Sequence, residues 1–149
     1  MNTTELLMQF RRVMKLHEHA IKKVCEAYQL SRLEGTVLCF LHNNPDKDTA
    51  SDIVELRMLS KGNVSQAVDS LCSRQFLQRT PDTANRRKIH LSLLPAAQPV
   101  IDQMDQVIIA FRDRLFAGFT KDELSMYISF GERIIENTKK AMKEEEETS

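Results

Sequence analysis

"LSKGNVSQAVDSL" runs from Leu59 to Leu71. Val64, Ala67, Val68 and Leu71 recur at helical spacing and share one face. Gly62, Ser65, Gln66, Asp69 and Ser73 fall on the opposite face, and Ser60 stands where an N-cap belongs. Small polar side chains let a helix lie deep in a groove. In a DNA major groove Gln66 can bond adenine bidentately, while Asn63 and Ser65 can bond base edges or phosphates. Gly62 leaves room for the backbone, Lys61 flanks the N-terminal end, and that end favours a phosphate. A merely solvated helix would carry similar residues, so its neighbours decide the reading.

Upstream, "TASD" is a capping box from Thr49 to Asp52, opening a short helix with Ala50, Ile53, Val54 and Leu56 as its buried side. "RMLS" is then a tight turn, and the pair reads as helix-turn-helix. Downstream, Phe76 to Arg79 reads as a strand, "TPDTAN" as a turn region, and "RKIHLSL" as a returning strand. Ile89, Leu91 and Leu93 form its inner face, with Lys88, His90 and Ser92 outside. The hairpin carries "NRRK", Asn85 to Lys88, at or just after its tip. Arg86, Arg87 and Lys88 on a projecting loop suit the minor groove and its phosphates. A helix-turn-helix followed by a basic-tipped hairpin is a winged helix.

The formal net charge of the 149 residues is zero, but it is uneven. Between Arg57 and His90 stand seven Lys or Arg residues against two acidic ones, whereas Glu144 to Glu147 is an acidic run. Local charge governs binding, so the neutral total does not exclude nucleic acid. No apolar run approaches the ~18 residues of a membrane helix. The N-terminal stretch lacks a signal peptide's apolar block, so a cytoplasmic protein is expected. Cys25, Cys39 and Cys72 form no C-x-x-C pair and read as free thiols. No Gly-rich phosphate loop, H-E-x-x-H or G-x-S-x-G occurs, so neither an enzyme nor a cofactor is expected.

Long helices flank the winged helix. Leu6, Phe10, Val13, His17, Ile21, Val24 and Tyr28 stripe the first, which should stop near Gln29. Ser31 and Glu34 cap the next, whose inner face holds Leu33, Val37, Phe40 and Leu41. Val100, Met104, Val107, Ile108, Phe111, Leu115 and Phe119 mark another long helix, its start delayed or kinked by Pro99. Thr120 and Glu123 cap the last, which should fray in the Glu run. The expected fold is mainly α with a small β-hairpin wing. Residues 31–94 form the winged helix-turn-helix, 1–30 and 95–142 the flanking helices, and 143–149 an acidic tail, all in one domain.

These residues resemble the MarR family of bacterial transcription regulators along nearly the whole chain. The likeness is carried by "LEGTVLCFL", "TASDIVEL", "SKGNVSQAVDSL", "NRRKIHLSL" and the "LS" before the long helix. It implies a homodimer, made by the terminal helices, on a pseudo-palindromic double-stranded operator. Ser65 would then meet phosphate, Gln66 base edges, and Arg86 the minor groove. It also implies a repressor relieved by a small-molecule effector or an oxidant acting near the hinge between dimer and winged-helix regions. Candidate effector residues are His17, Cys39 and His42. Cys39 and His42 have the spacing of a metal pair but no third ligand, so no metal is expected. Two departures from the family pattern stand out: Asn85 replaces the usual wing aspartate, and Gln75 replaces the glycine that ends the recognition helix. A winged helix used only for protein interaction is the alternative.

Overall fold

In the computed structural model, which describes residues 1–149, the elements run α1 (Thr3–Ala27), α2 (Arg32–Asn43), α3 (Ala50–Arg57), α4 (Lys61–Ser73), β1 (Leu77–Pro81), β2 (Ile89–Leu93), α5 (Gln98–Leu115) and α6 (Lys121–Thr148). The chain divides into two compact units, Met1–Phe111 and Arg112–Ser149. No helix is long and apolar enough to cross a membrane.

Local chemistry sets the helix starts. Ser31, Thr49 and Thr120 each accept the backbone N–H three residues on, and Glu34, Asp52 and Glu123 reach back to the capping residue's own N–H. A fourth such box, Asn2 with Glu5, starts α1. Ser60 caps α4 through the Asn63 N–H alone. Pro95 opens a 3-10 turn, Pro95–Ala97, so α5 starts at Gln98 and Pro99 lies in its first turn, where a missing donor is harmless.

The first unit packs around Val37, Leu38, Ile53, Val64, Val68, Leu71, Val100 and Met104, all buried. Ile53, with Ala50 and Val54 half-buried beside it, anchors α3, but Leu56 is exposed, a correction to the expected buried side. An eight-residue helix makes barely two turns, so it can turn only a narrow stripe inward. Gly35 is required where α2 meets its neighbours: a Cβ there would lie 2.6 Å from Cys25 Sγ and 3.1 Å from Met104 Cε. β1 pairs antiparallel with β2, Leu77 opposite Leu93 and Pro81 opposite Ile89. The Leu91 N–H also donates to Asp48 O at 2.7 Å, tying β2 to the loop before α3.

In the second unit Phe116 packs edge-on against Phe119 and Tyr127. α5 ends at Leu115, so Phe119 lies in the turn beyond it rather than on the helix; Gly118 takes φ 84° there. α6 does not dissolve at the Glu run but continues to Thr148. Lys143 pairs with Glu147, and the Thr148 hydroxyl donates to Glu144 O. These contacts offset the like-charge repulsion that favours fraying. α6 buries none of its own residues.

Candidate nucleic-acid interface

α4 turns Val64, Ala67, Val68 and Leu71 inward and leaves Lys61, Gly62, Asn63, Ser65 and Gln66 exposed. A Cβ on Gly62 would meet nothing within 4 Å, so that surface is open to a partner's backbone. Ser60 is exposed as well, but its hydroxyl is engaged in the cap. Two polar ties hold α4 in place. Asp69 pairs with Arg79 of β1. Ser70 donates to Glu34 Oε2 at 3.0 Å, linking α4 to α2.

Of the seven basic residues between Arg57 and His90, the fold uses two internally. Arg79 holds Asp69. Arg74 donates to Tyr28 O at 2.7 Å and Gln29 O at 2.8 Å and lies over the Phe76 ring. Lys61, Arg86, Arg87 and Lys88 are exposed and make no ion pair within the chain. They stand at the start of α4 and on the loop joining β1 to β2.

That loop is ordered by its own side chains. Asp82 accepts from the N–H groups of Ala84 (3.0 Å) and Asn85 (2.8 Å), and Asn85 Oδ1 accepts from Arg87 N–H (3.1 Å). These are Asx turns, in which the side chain stands in for backbone. Asn85 is thus engaged locally. His90 supplies a link that sequence reasoning missed. Its Nε2 lies 2.7 Å from Asp82 Oδ1 and its Nδ1 2.8 Å from Asp48 Oδ1. Hydrogen bonds to Asp82 and then Asp48 raise the His90 pKa, and His90 with the loop amides holds Asp82 down at about 2. Asp48 is 42 residues from His90, so no local pattern reveals the link.

The candidate effector residues share a neighbourhood. His17 is half-buried, edge-on to Phe111 at 5.5 Å, and burial lowers its pKa, with Arg57 adding to the effect. Burial pushes the Cys39 thiol up to about 11, helped by Cys25 and Asp105. His42 Nε2 meets Asp105 Oδ2 at 3.1 Å. Arg57 therefore acts on both His17 and Cys39, and Asp105 on both Cys39 and His42.

α3, α4 and the β1–β2 hairpin make up a winged helix-turn-helix, with an exposed polar face on α4 and basic residues on the wing loop. The model of the MarR family matches residues 28–88, from the end of α1 to the wing loop before β2. An HTH-type transcriptional regulator of Bacillus subtilis, YwaE, is 23% identical over 86% of this chain and 74% of its own length. A MarR-family regulator from Silicibacter pomeroyi has the same fold, with a TM-score of 0.76, 23% identity, and 91% of this chain and 89% of that one covered. So does a cysteine-to-serine mutant of MarR from E. coli complexed with operator DNA, at TM-score 0.66 and 15% identity, over 87% and 93% of the two chains. Over residues 28–88 the chain is thus similar to the MarR family, and along most of its length it has the fold of MarR-family structures.

Proposed function

We propose that the chain is a cytoplasmic, non-catalytic transcription regulator that binds a pseudo-palindromic double-stranded operator as a homodimer. The observation that carries this reading is the sorting of the basic residues. Arg74 and Arg79 are engaged in contacts within the fold, while Lys61 at the start of α4 and Arg86, Arg87 and Lys88 on the wing loop make no ion pair. Structural demands explain the first pair but not the second group. The relative complexed with operator DNA has the same fold, which supports the same use of it.

In this reading Gln66 reads base edges, and Ser65, Asn63, Lys61 and the N-terminal turn of α4 at Gly62 meet edges or phosphates. Arg87 and Lys88 hold phosphates, and Arg86 enters the minor groove. Ser60 and Asn85 shape the helix start and the wing turn. Relief comes from a small ligand rather than an oxidant, acting around His17, Cys39 and His42. Burial raises the Cys25 and Cys39 thiols, and thiolate is the form that oxidants attack.

Affinity for operator and random duplex across salt tests this. Gln66→Ala should cost about 1–3 kcal/mol on the operator and little on random DNA. Arg87→Ala should weaken both alike and make the salt slope shallower by about one unit. If Gln66→Ala leaves the operator-to-random ratio unchanged while Arg87→Ala collapses it, the two roles are wrongly assigned. No wild-type binding at low salt would favour the interaction module.

A further inference from the structure

His90 is bonded on both ring nitrogens to carboxylates from different parts of the fold. Asp82 belongs to the wing loop, and Asp48 to the loop that enters α3. An ionised carboxylate only accepts hydrogen bonds, and a neutral imidazole has only one N–H. Both contacts are therefore hydrogen bonds only when the ring is an imidazolium. In the neutral ring one nitrogen lone pair faces a carboxylate oxygen, and that side of the link is lost. Thr49 and Ile89, the chain neighbours of Asp48 and His90, line one groove together with Ser51, Arg87 and Lys88.

We propose that Asp48, His90 and Asp82 are positioning residues for the wing, an imidazolium clamp that makes the wing's hold on DNA depend on protonation of His90. The DNA part rests on the function proposed above; the clamp itself does not. Thr80, across the ladder from His90, is neutral, and on α3 the Asp52 carboxylate is engaged with Thr49. Asp82 and Asp48 are the charges acting on the ring.

The raised His90 pKa gives the sign. Its stabilisation is fully present below the unfolded value of about 6.5 and is lost as pH rises through the higher folded value. Asp82 works oppositely: its share is present above the unfolded value of 3.8 and is lost as pH falls through about 2. The clamp is therefore complete from mildly acidic pH up to the His90 titration.

Two substitutions in the full-length chain separate positioning from mere packing. His90→Gln cannot donate on two sides and has no charge. Asp48→Asn instead offers the ring an amide N–H, so a neutral His90 can accept from that amide while donating to Asp82. Backbone amide shifts of Ala84, Asn85 and Leu91, followed by NMR across pH, report the wing without DNA; duplex affinity reports it with DNA. We expect the wild-type amides to move with one histidine titration that is absent from His90→Gln. Wild-type affinity should fall several-fold through that midpoint. His90→Gln should bind weakly throughout without that step, and Asp48→Asn should bind well and stay flat across it. A His90→Gln protein with wild-type affinity and pH slope would overturn the clamp. So would Asp48→Asn following the wild-type pH curve, and this variant decides the matter if His90→Gln fails to fold. Should the wild type bind no DNA at any pH, the function is refuted, and the amide titration still decides the clamp.

Discussion

Gln29, Met58 and Gln75 are the non-glycine residues with positive φ, at 54°, 51° and 61°, and each lies at the end of a helix. After α1 and α4 the pattern is the same. Gln29 N–H donates to Glu26 O and Leu30 N–H to Cys25 O; Gln75 N–H donates to Cys72 O and Phe76 N–H to Leu71 O. These are Schellman endings, with Leu30 and Phe76 turning apolar side chains back onto the core. Gln75 thus makes the left-handed turn itself, where the resemblance noted in the sequence leads one to expect glycine. A side chain in that region costs roughly 1–2 kcal/mol, and glycine returns part of that gain through a more flexible unfolded chain. Gln75→Gly should therefore raise stability by up to about 1 kcal/mol. Urea unfolding checks this, and a lowered midpoint at constant slope would contradict it. Gly35 shows the reverse constraint, since there a Cβ would collide with Cys25 Sγ.

At the scale of elements, most of what positions the proposed DNA-facing surface can be read from local pattern. The boxes at Ser31, Thr49 and Thr120 fix three helix starts because each is a contact between residues three apart. The inner face of α4 follows from its periodicity, and the alternation from Ile89 to Leu93 gives the second strand. What stays hidden depends on residues far apart in the chain. The Asp48–His90–Asp82 link and the Asp69–Arg79 pair exist only once the hairpin has docked. Nor does sequence show which arginines the fold occupies; along the chain Arg74 looks as free as Arg87. The far end of α6 departs from expectation for another reason. Like-charge repulsion of a few tenths of a kcal/mol per pair does not unravel a helix that Lys143–Glu147 and the Thr148 hydroxyl help to close. All these residues are exposed. Deleting Glu144 to Ser149 should therefore leave the melting temperature and duplex affinity nearly unchanged. A large gain in affinity would show that the Glu run shields the basic surface.

At the scale of the whole molecule, two helices carry apolar side chains that the chain itself does not cover. On α1, Leu7, Met8, Phe10 and Met14 are exposed; on α6, Met126, Tyr127, Ile128, Phe130, Ile134, Ile135 and Met142 are exposed. A large side chain is worth about 1.5–3 kcal/mol when fully buried, so leaving this many in water forgoes a sizeable part of a domain's stability. A second copy of the chain, as in the proposed homodimer, would cover them and also suit the proposed operator. A twofold dimer presents two copies of α4, and half-sites one helical turn apart require their centres ~34–36 Å from each other. Ending the chain at Thr120 removes the apolar face of α6 and leaves Phe116 without Tyr127. The shortened protein should be monomeric or aggregate, and any soluble fraction should bind one half-site without the cooperativity of the full operator. Light scattering after gel filtration gives the mass, and titration of one and two half-sites gives the coupling. A soluble dimer that still binds the full operator cooperatively would place the dimer contact somewhere other than α6.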